Sequence, residues 1–132
     1  MEALIRVAVL DFYGCAPELL NDAARLEDIM LESARRMSAT VVDTKFNTYN
    51  PEGVSGVIII AESHLAIHTW PEYGYAAITF ETCGKIDPWK SLSYLQNALK
   101  SERCSTIEMY RGLFDAPKGS MPHKPAEASV NL

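Results

Sequence analysis

Four short apolar runs follow one another between residues 40 and 82, and only two stretches of the chain carry helical periodicity. That imbalance constrains the fold more than any other feature. A strand shows alternating or continuous apolar residues over a few positions, whereas a helix repeats them every three or four. Residues 4–12 (LIRVAVLDF) are rich in β-branched and apolar side chains and read as a strand that Tyr13-Gly14 ends. Over residues 17–37, Leu19, Ala23, Leu26, Met30 and Ala34 recur at helical steps and form one apolar stripe. Pro17 suits the first turn, and Arg35 and Arg36 suit the negative end of the helix dipole. Residues 40–49, 54–61, 65–70 and 75–82 then read as successive strands. Asn50-Pro51-Glu52-Gly53 makes a turn and Pro71 is a stop. The continuous apolar run of 54–61 predicts burial on both faces. Asp87-Pro88 opens a second helix, an Asp cap before a first-turn proline, running to about Lys100 with Trp89, Leu92, Leu95 and Leu99 inward. Residues 106–110 read as a last strand. From Asp115 the chain is rich in Pro, Gly and polar residues and reads as a flexible tail, residues 115–132, behind a single domain of residues 1–114.

Two helices cannot cover both faces of such a sheet. The expected fold is an α/β (α+β) two-layer sandwich, a largely antiparallel sheet with two helices packed on one face. The other face must meet something, and a second copy of the chain is the plain candidate. At 132 residues and 48% apolar content, the chain can bury a core of its own without a disulfide scaffold. Seventeen acidic against twelve basic residues give a net charge of −5, and no Lys/Arg run appears, which argues against nucleic-acid binding. The apolar run at 57–61 is far too short to span a bilayer. The start of the chain does not read as a signal peptide. Cys15, Cys83 and Cys104 are an odd, widely spaced set without CxxC, as expected of reduced thiols in a cytoplasmic protein.

The densest run of chemical groups is Glu62-Ser63-His64-Leu65-Ala66-Ile67-His68. Three readings are open. His64 and His68 have the spacing of a helical zinc pair, but the flanking residues favour a strand, where they would lie about 13 Å apart. Ser63 and His68 have opposite parity on a straight strand, so a Ser-His nucleophile pair needs a bend, which Ala61-Glu62-Ser63-His64 could supply. The third reading is structural, and on pattern alone an isolated Ser and His in a hairpin are more often that. A lone cysteine such as Cys83 is likewise more often buried filler than a reactive thiol.

The segment ESHLAIHTWPEYGYAAI (62–78), followed by Thr82-Cys83-Gly84 and Asp87-Pro88-Trp89, closely resembles the short prokaryotic S-adenosylmethionine decarboxylase proenzymes. Asp11-Phe12-Tyr13-Gly14-Cys15 and Gly53-Val54-Ser55-Gly56 extend the likeness, which runs from about Leu4 to Gly112. The resemblance implies a self-processing carboxy-lyase with a covalent pyruvoyl group and no metal. By it, the chain breaks between Glu62 and Ser63 into a β chain (1–62) and an α chain (63–132), and Ser63 becomes the pyruvoyl group that forms a Schiff base with the substrate. His68 matches the processing base, Ser55 a second processing residue, and Cys83 the proton donor in decarboxylation. Tyr49 matches an aromatic that either stacks on adenine or packs in the core. The family fold is a two-layer α/β sandwich, and its members form dimers of cleaved protomers with active sites at the interface.

Some positions depart from the family pattern. Ile5 and Val7 stand where a Gly-x-His is usual, Ala16 where an Asp begins the helix, Thr79 where an acid is common, and Glu81 where an apolar residue is usual. These changes spare the self-cleavage set and touch the expected substrate pocket. S-adenosylmethionine is the expected substrate, feeding spermidine biosynthesis. Arginine or ornithine decarboxylation is the alternative within the same chemistry, and a non-catalytic regulatory paralogue is the alternative outside it.

Overall fold

In the computed structural model, which describes residues 2–83, 85–117 and 120–121, six strands form one sheet. They are β1 (Glu2–Tyr13), β2 (Thr40–Thr48), β3 (Val54–Ala61), β4 (Ser63–Trp70), β5 (Tyr75–Cys83) and β6 (Arg103–Phe114). The order is β2-β3-β4-β5-β1-β6, and every neighbouring pair is antiparallel. Because successive strand residues point to opposite faces, one set of alternate residues meets the helices: Ala8, Leu10 and Phe12, Ile58 and Ile60, Leu65 and Ile67, Ala76, Ile78 and Phe80 are all buried. They pack with Leu19, Leu20, Leu26, Met30, Leu95 and Leu99 from the helical layer. The two-layer α+β arrangement expected from the sequence is the one observed.

The helical layer differs from the sequence expectation in its breaks. The stretch 17–37 is two helices, α1 (Pro17–Leu20) and α2 (Ala23–Arg36), divided at Asn21-Asp22. Asp22 caps α2 by accepting a hydrogen bond from the Arg25 N–H at 3.2 Å. Asn21 turns its side-chain oxygen outward to accept from the Gly53 N–H at 2.9 Å. Both residues serve better outside a helix than within one. Asp87 caps the second helical segment as expected, accepting from the Trp89 N–H at 3.0 Å. Its first turn, Pro88–Ser91, is a 3-10 helix, and only α3 (Leu92–Ala98) is α-helical.

The last strand is longer than the apolar run of 106–110, because β1 supplies pairing along its whole length, from Glu2 opposite Phe114 to Tyr13 opposite Arg103. In β3, Ile58 and Ile60 are buried, but Ile59 on the other side is 46% exposed. The expected two-sided burial is therefore one-sided in the single chain, since among the described residues no helix covers the second face. Among the described residues, no helix is long and apolar enough to cross a membrane. Residues 118–119 and 122–132 of the expected tail lie outside the described residues.

Candidate active site

The open face of the sheet carries the Ser55–His68 pair, and pairing register places it. Ser55 on β3 stands directly opposite His68 on β4. Their side chains meet: Ser55 Oγ lies 2.8 Å from His68 Nδ1, a hydrogen bond whose direction follows the histidine tautomer. The backbone beneath this pair is pinned. Thr69 is buried, donates its hydroxyl to the Leu20 carbonyl at 2.7 Å, and accepts from the Val54 N–H at 2.9 Å. The neighbouring turn is closed by the Tyr49 N–H donating to the Gly53 carbonyl at 2.8 Å. Gly53 sits at φ +104, a left-handed conformation that side chains rarely adopt. Gly56 is needed for space, because an added Cβ there would run into the Phe46 ring.

Ser55 and His68 open into a cavity of about 330 Å³, lined also by Tyr49, Glu52, Trp70 and Glu72. Sequence reading singled out Tyr49, Ser55 and His68 in this group and missed Glu52, Trp70 and Glu72. Glu72 and Trp70 belong to the HTWPE stretch, so their nearness to His68 in sequence was the available signal. Glu52 had none, since the Asn50–Gly53 turn reads as surface.

Ser63 and Cys83 stand elsewhere. Glu62 alone joins β3 to β4, so the hairpin is very tight and Ser63 is its first returning residue. Ser63 is half-buried and holds φ +105, a strained conformation for a residue with a Cβ. Cys83 ends β5, is buried, and lies opposite Ile5. His64 stands opposite Glu81 on the open face. That pair is the last of the β4–β5 register, one residue after Ser63 and two before Cys83. Arg111 reaches over from β6 to pair with Glu81 at 3.3 Å. The departures noted at Ile5, Val7 and Glu81 thus fall in one neighbourhood, around Cys83. His68 is five residues along β4 from Ser63, about 16 Å at strand rise. A single chain therefore brings Ser55 to His68 and leaves Ser63 at the other end of β4. His64 and His68 share a face but are four strand residues apart, too far to share one metal ion.

Burial raises the Cys15 and Cys104 thiols above their ordinary range. Both are then protonated and poorly nucleophilic at neutral pH.

Comparison with known proteins supplies the family. Residues 6–112 match the model of the S-adenosylmethionine decarboxylase family. The chain is 48% identical over 128 residues to the S-adenosylmethionine decarboxylase proenzyme of Thermosipho melanesiensis, covering 94% of this chain and 98% of that one. It is 47% identical over 130 residues to the proenzyme of the same name from Thermotoga maritima, covering 96% and 99%. The adenosylmethionine decarboxylase crystal structure from Aquifex aeolicus superposes with a TM-score of 0.79 at 24% identity, over 87% of this chain and 96% of that one, a likeness of fold. With a family model matched over most of the chain and relatives of this identity matched nearly end to end, the chain belongs to the S-adenosylmethionine decarboxylase family of carboxy-lyases.

Proposed function

We propose that this chain is a proenzyme that cuts itself between Glu62 and Ser63 and then, as a pyruvoyl enzyme, decarboxylates S-adenosylmethionine. The observation that carries the reading is Ser63 itself, held at φ +105 as the first residue after a one-residue hairpin connection. Strain there raises the energy of the intact peptide relative to a rearranged bond. The Ser63 hydroxyl attacks the Glu62 carbonyl carbon. The C–N bond breaks, its nitrogen takes the proton, and an ester joins the two halves. A base removes the Ser63 α-proton and the ester C–O bond breaks, leaving a carboxylate at Glu62 and a dehydroalanine at residue 63. Water hydrolyses the latter, releasing ammonia, and a pyruvoyl group begins the α chain. Residues 1–62 and 63–132 are the two products.

The residues around Ser63 fit such a group: a half-buried strand start with a buried thiol at the end of the adjacent strand. Once formed, it supplies an electrophilic carbonyl that draws off the electrons released with CO2. Cys83 then gives its thiol proton to the substrate α-carbon. His68, hydrogen-bonded to Ser55, is the processing base. It is too far from Ser63 to act on its own chain, which is why we propose a homodimer that assembles before cleavage and persists as a dimer of cleaved protomers. A two-fold axis crossing β4 near its middle reverses the strand, so one copy's Ser55–His68 end faces the partner's Ser63–Cys83 end. Exposed Ile59, Ile107 and Met109 give the open face apolar surface for that contact.

The cavity supports the substrate. S-adenosylmethionine is a sulfonium cation carrying a purine. Tyr49 and Trp70 offer rings for stacking and for the cation, and Glu52 and Glu72 offer negative charge. Its decarboxylated product is an aminopropyl donor for spermidine biosynthesis. A protein with three free cysteines is at home in a reducing cytoplasm.

Intact mass and a denaturing gel test the reading. Purified protein should give two chains, with a pyruvoyl mass at the start of the second, and Ser63→Ala should stay whole. A wild-type chain that remains uncut, or a Ser63→Ala variant that is cut, overturns it. Carbon dioxide release from S-adenosylmethionine, arginine and ornithine, measured on cleaved protein, assigns the substrate. Release from arginine or ornithine alone overturns the choice of S-adenosylmethionine.

A further inference from the structure

Four rings and a guanidinium stand in a row on the open face, and the row ends in the cavity wall. The Arg103 guanidinium carbon sits 4.0 Å from the centre of the Tyr13 ring. Tyr13 and Tyr75 stack with centroids 5.4 Å apart and planes 27° from parallel. Tyr75 and Trp70 stack at 5.3 Å and 30°. Trp70 then lies 6.4 Å from the His68 ring, tilted by 47°. Register builds the row: Trp70 is opposite Tyr75 across β4 and β5, and Tyr13 is opposite Arg103 across β1 and β6.

One ring in the row is fixed by a polar bond as well as by stacking. The Tyr75 hydroxyl donates to the Asp11 carboxylate at 2.6 Å. Burial, then this bond, pushes the phenol up to about 12, so it remains a donor throughout the neutral range. Among the described residues Trp70 has no such anchor, and it is 41% exposed at the mouth of the cavity. An indole at an exposed strand end has rotamers to lose when a ligand settles against it. A rigid neighbour that removes those rotamers beforehand lowers the cost of binding.

We propose that Tyr75 is a positioning residue for substrate binding: anchored on Asp11, it holds the Trp70 indole as a fixed wall of the Ser55–His68 cavity. Tyr13, clamped under Arg103, backs Tyr75 from the other side. The inference rests on the proposed function for the identity of the substrate, and on the ring geometry alone for the immobilised indole. It assigns Tyr75 and Asp11 to binding and gives them no contact with the reacting atoms.

The test uses cleaved enzyme carrying Tyr75→Leu, Tyr75→Phe or Asp11→Asn. Two readouts are taken: steady-state kinetics with S-adenosylmethionine, and time-resolved fluorescence anisotropy in a Trp89→Phe background, where Trp70 is the remaining tryptophan. Tyr75→Leu removes a stacking partner and should raise KM about three- to tenfold, with kcat falling by less. Tyr75→Phe and Asp11→Asn keep every ring but remove the anchor, so each should raise KM by less than Tyr75→Leu does and still let the indole rotate faster than in the parent. The indole should rotate faster in Tyr75→Leu than in the parent. An unchanged KM, or a Trp70 anisotropy decay identical to the parent's, overturns the proposal. If Tyr75→Leu fails to fold, Asp11→Asn decides, because it keeps every ring: unchanged indole mobility overturns the proposal and a faster indole supports it. A parent that does not decarboxylate S-adenosylmethionine counts against the proposed substrate, and the anisotropy measurement still decides the role of Tyr75.

Discussion

On the helix side of β4 and β5, Leu65, Ile67, Ile78 and Phe80 are fully buried. On the other side of the same strands, His64, Ala66, Thr79 and Glu81 are half-buried and His68 is exposed. The two sets alternate along one backbone, so neither local sequence nor strand propensity separates them. What separates them is company. The first set meets a helical layer and has no polar group to satisfy. The second faces outward, keeps its polar groups, and places them by register. One face of the sheet therefore holds the molecule together, while the other presents Ser55–His68 at one end of β4, with Ser63 at the far end of that strand opposite buried Ile60. The placement of the candidate chemistry depends on the rigidity of the covered face.

The sharpest way to break this contrast is to truncate one residue on each side of β5. Phe80→Ala removes a fully buried ring and should cost about 3–5 kcal/mol in denaturant unfolding. Thr79→Ala, the next residue on the open side, should change the stability of the undimerised chain by no more than about 0.5 kcal/mol. Equal losses would mean that the open face is as tightly packed as the covered one. Next comes Ile59→Arg, on the open face. It should weaken the proposed dimer by about 2 kcal/mol or more, read by sedimentation equilibrium, while the monomer unfolds as before. A dimer of unchanged strength would remove the open face as its interface. Thr69→Val probes the covered side of the site end. It leaves the buried Val54 N–H and Leu20 carbonyl without their hydroxyl partner and should cost about 1–2 kcal/mol. It should also loosen the Ser55–His68 pair, visible as changed His68 side-chain resonances by NMR.

The smallest effect lies on the solvent side of α2. There Arg35 and then Arg36 bond to Glu32 and hold its carboxyl down to about 2, against an ordinary 4.5. A depressed acid contributes stability above its unfolded pKa and loses it as pH falls through the folded one. The contribution is thus present above about pH 4.5 and fades towards pH 2. An exposed pair of this kind is well screened. Glu32→Gln should flatten the acid unfolding profile only in that window, and any change near neutral pH would point to another role.

Much of this architecture was legible in the chain. The strands appeared as apolar runs between turn residues, Asp87 announced its cap, and the shortage of helices implied an uncovered face. The remainder depended on partners distant in sequence. The break at Asn21-Asp22 interrupts a stripe that local periodicity makes continuous, because Asn21 is held by Gly53, thirty-two residues away. The full length of β6 is set by β1, whose pairing extends well past the apolar run. Glu52 joins the cavity only because the turn that carries it folds back beside His68.

Sequence by itself determined the inventory: which runs become strands, which side chains carry reactive groups, and which family motif surrounds Ser63. These are properties of composition and short spacing, and they survive without knowledge of pairing. Tertiary structure alone decided the arrangement. Parity says that Ser63 and His68 differ in side, but only the register puts Ser55 against His68 at 2.8 Å. The same register carries Ser63 to the far end of the strand, opposite Ile60. A strand advances about 3.3 Å per residue, so five residues of spacing within one motif become a separation that one chain cannot close.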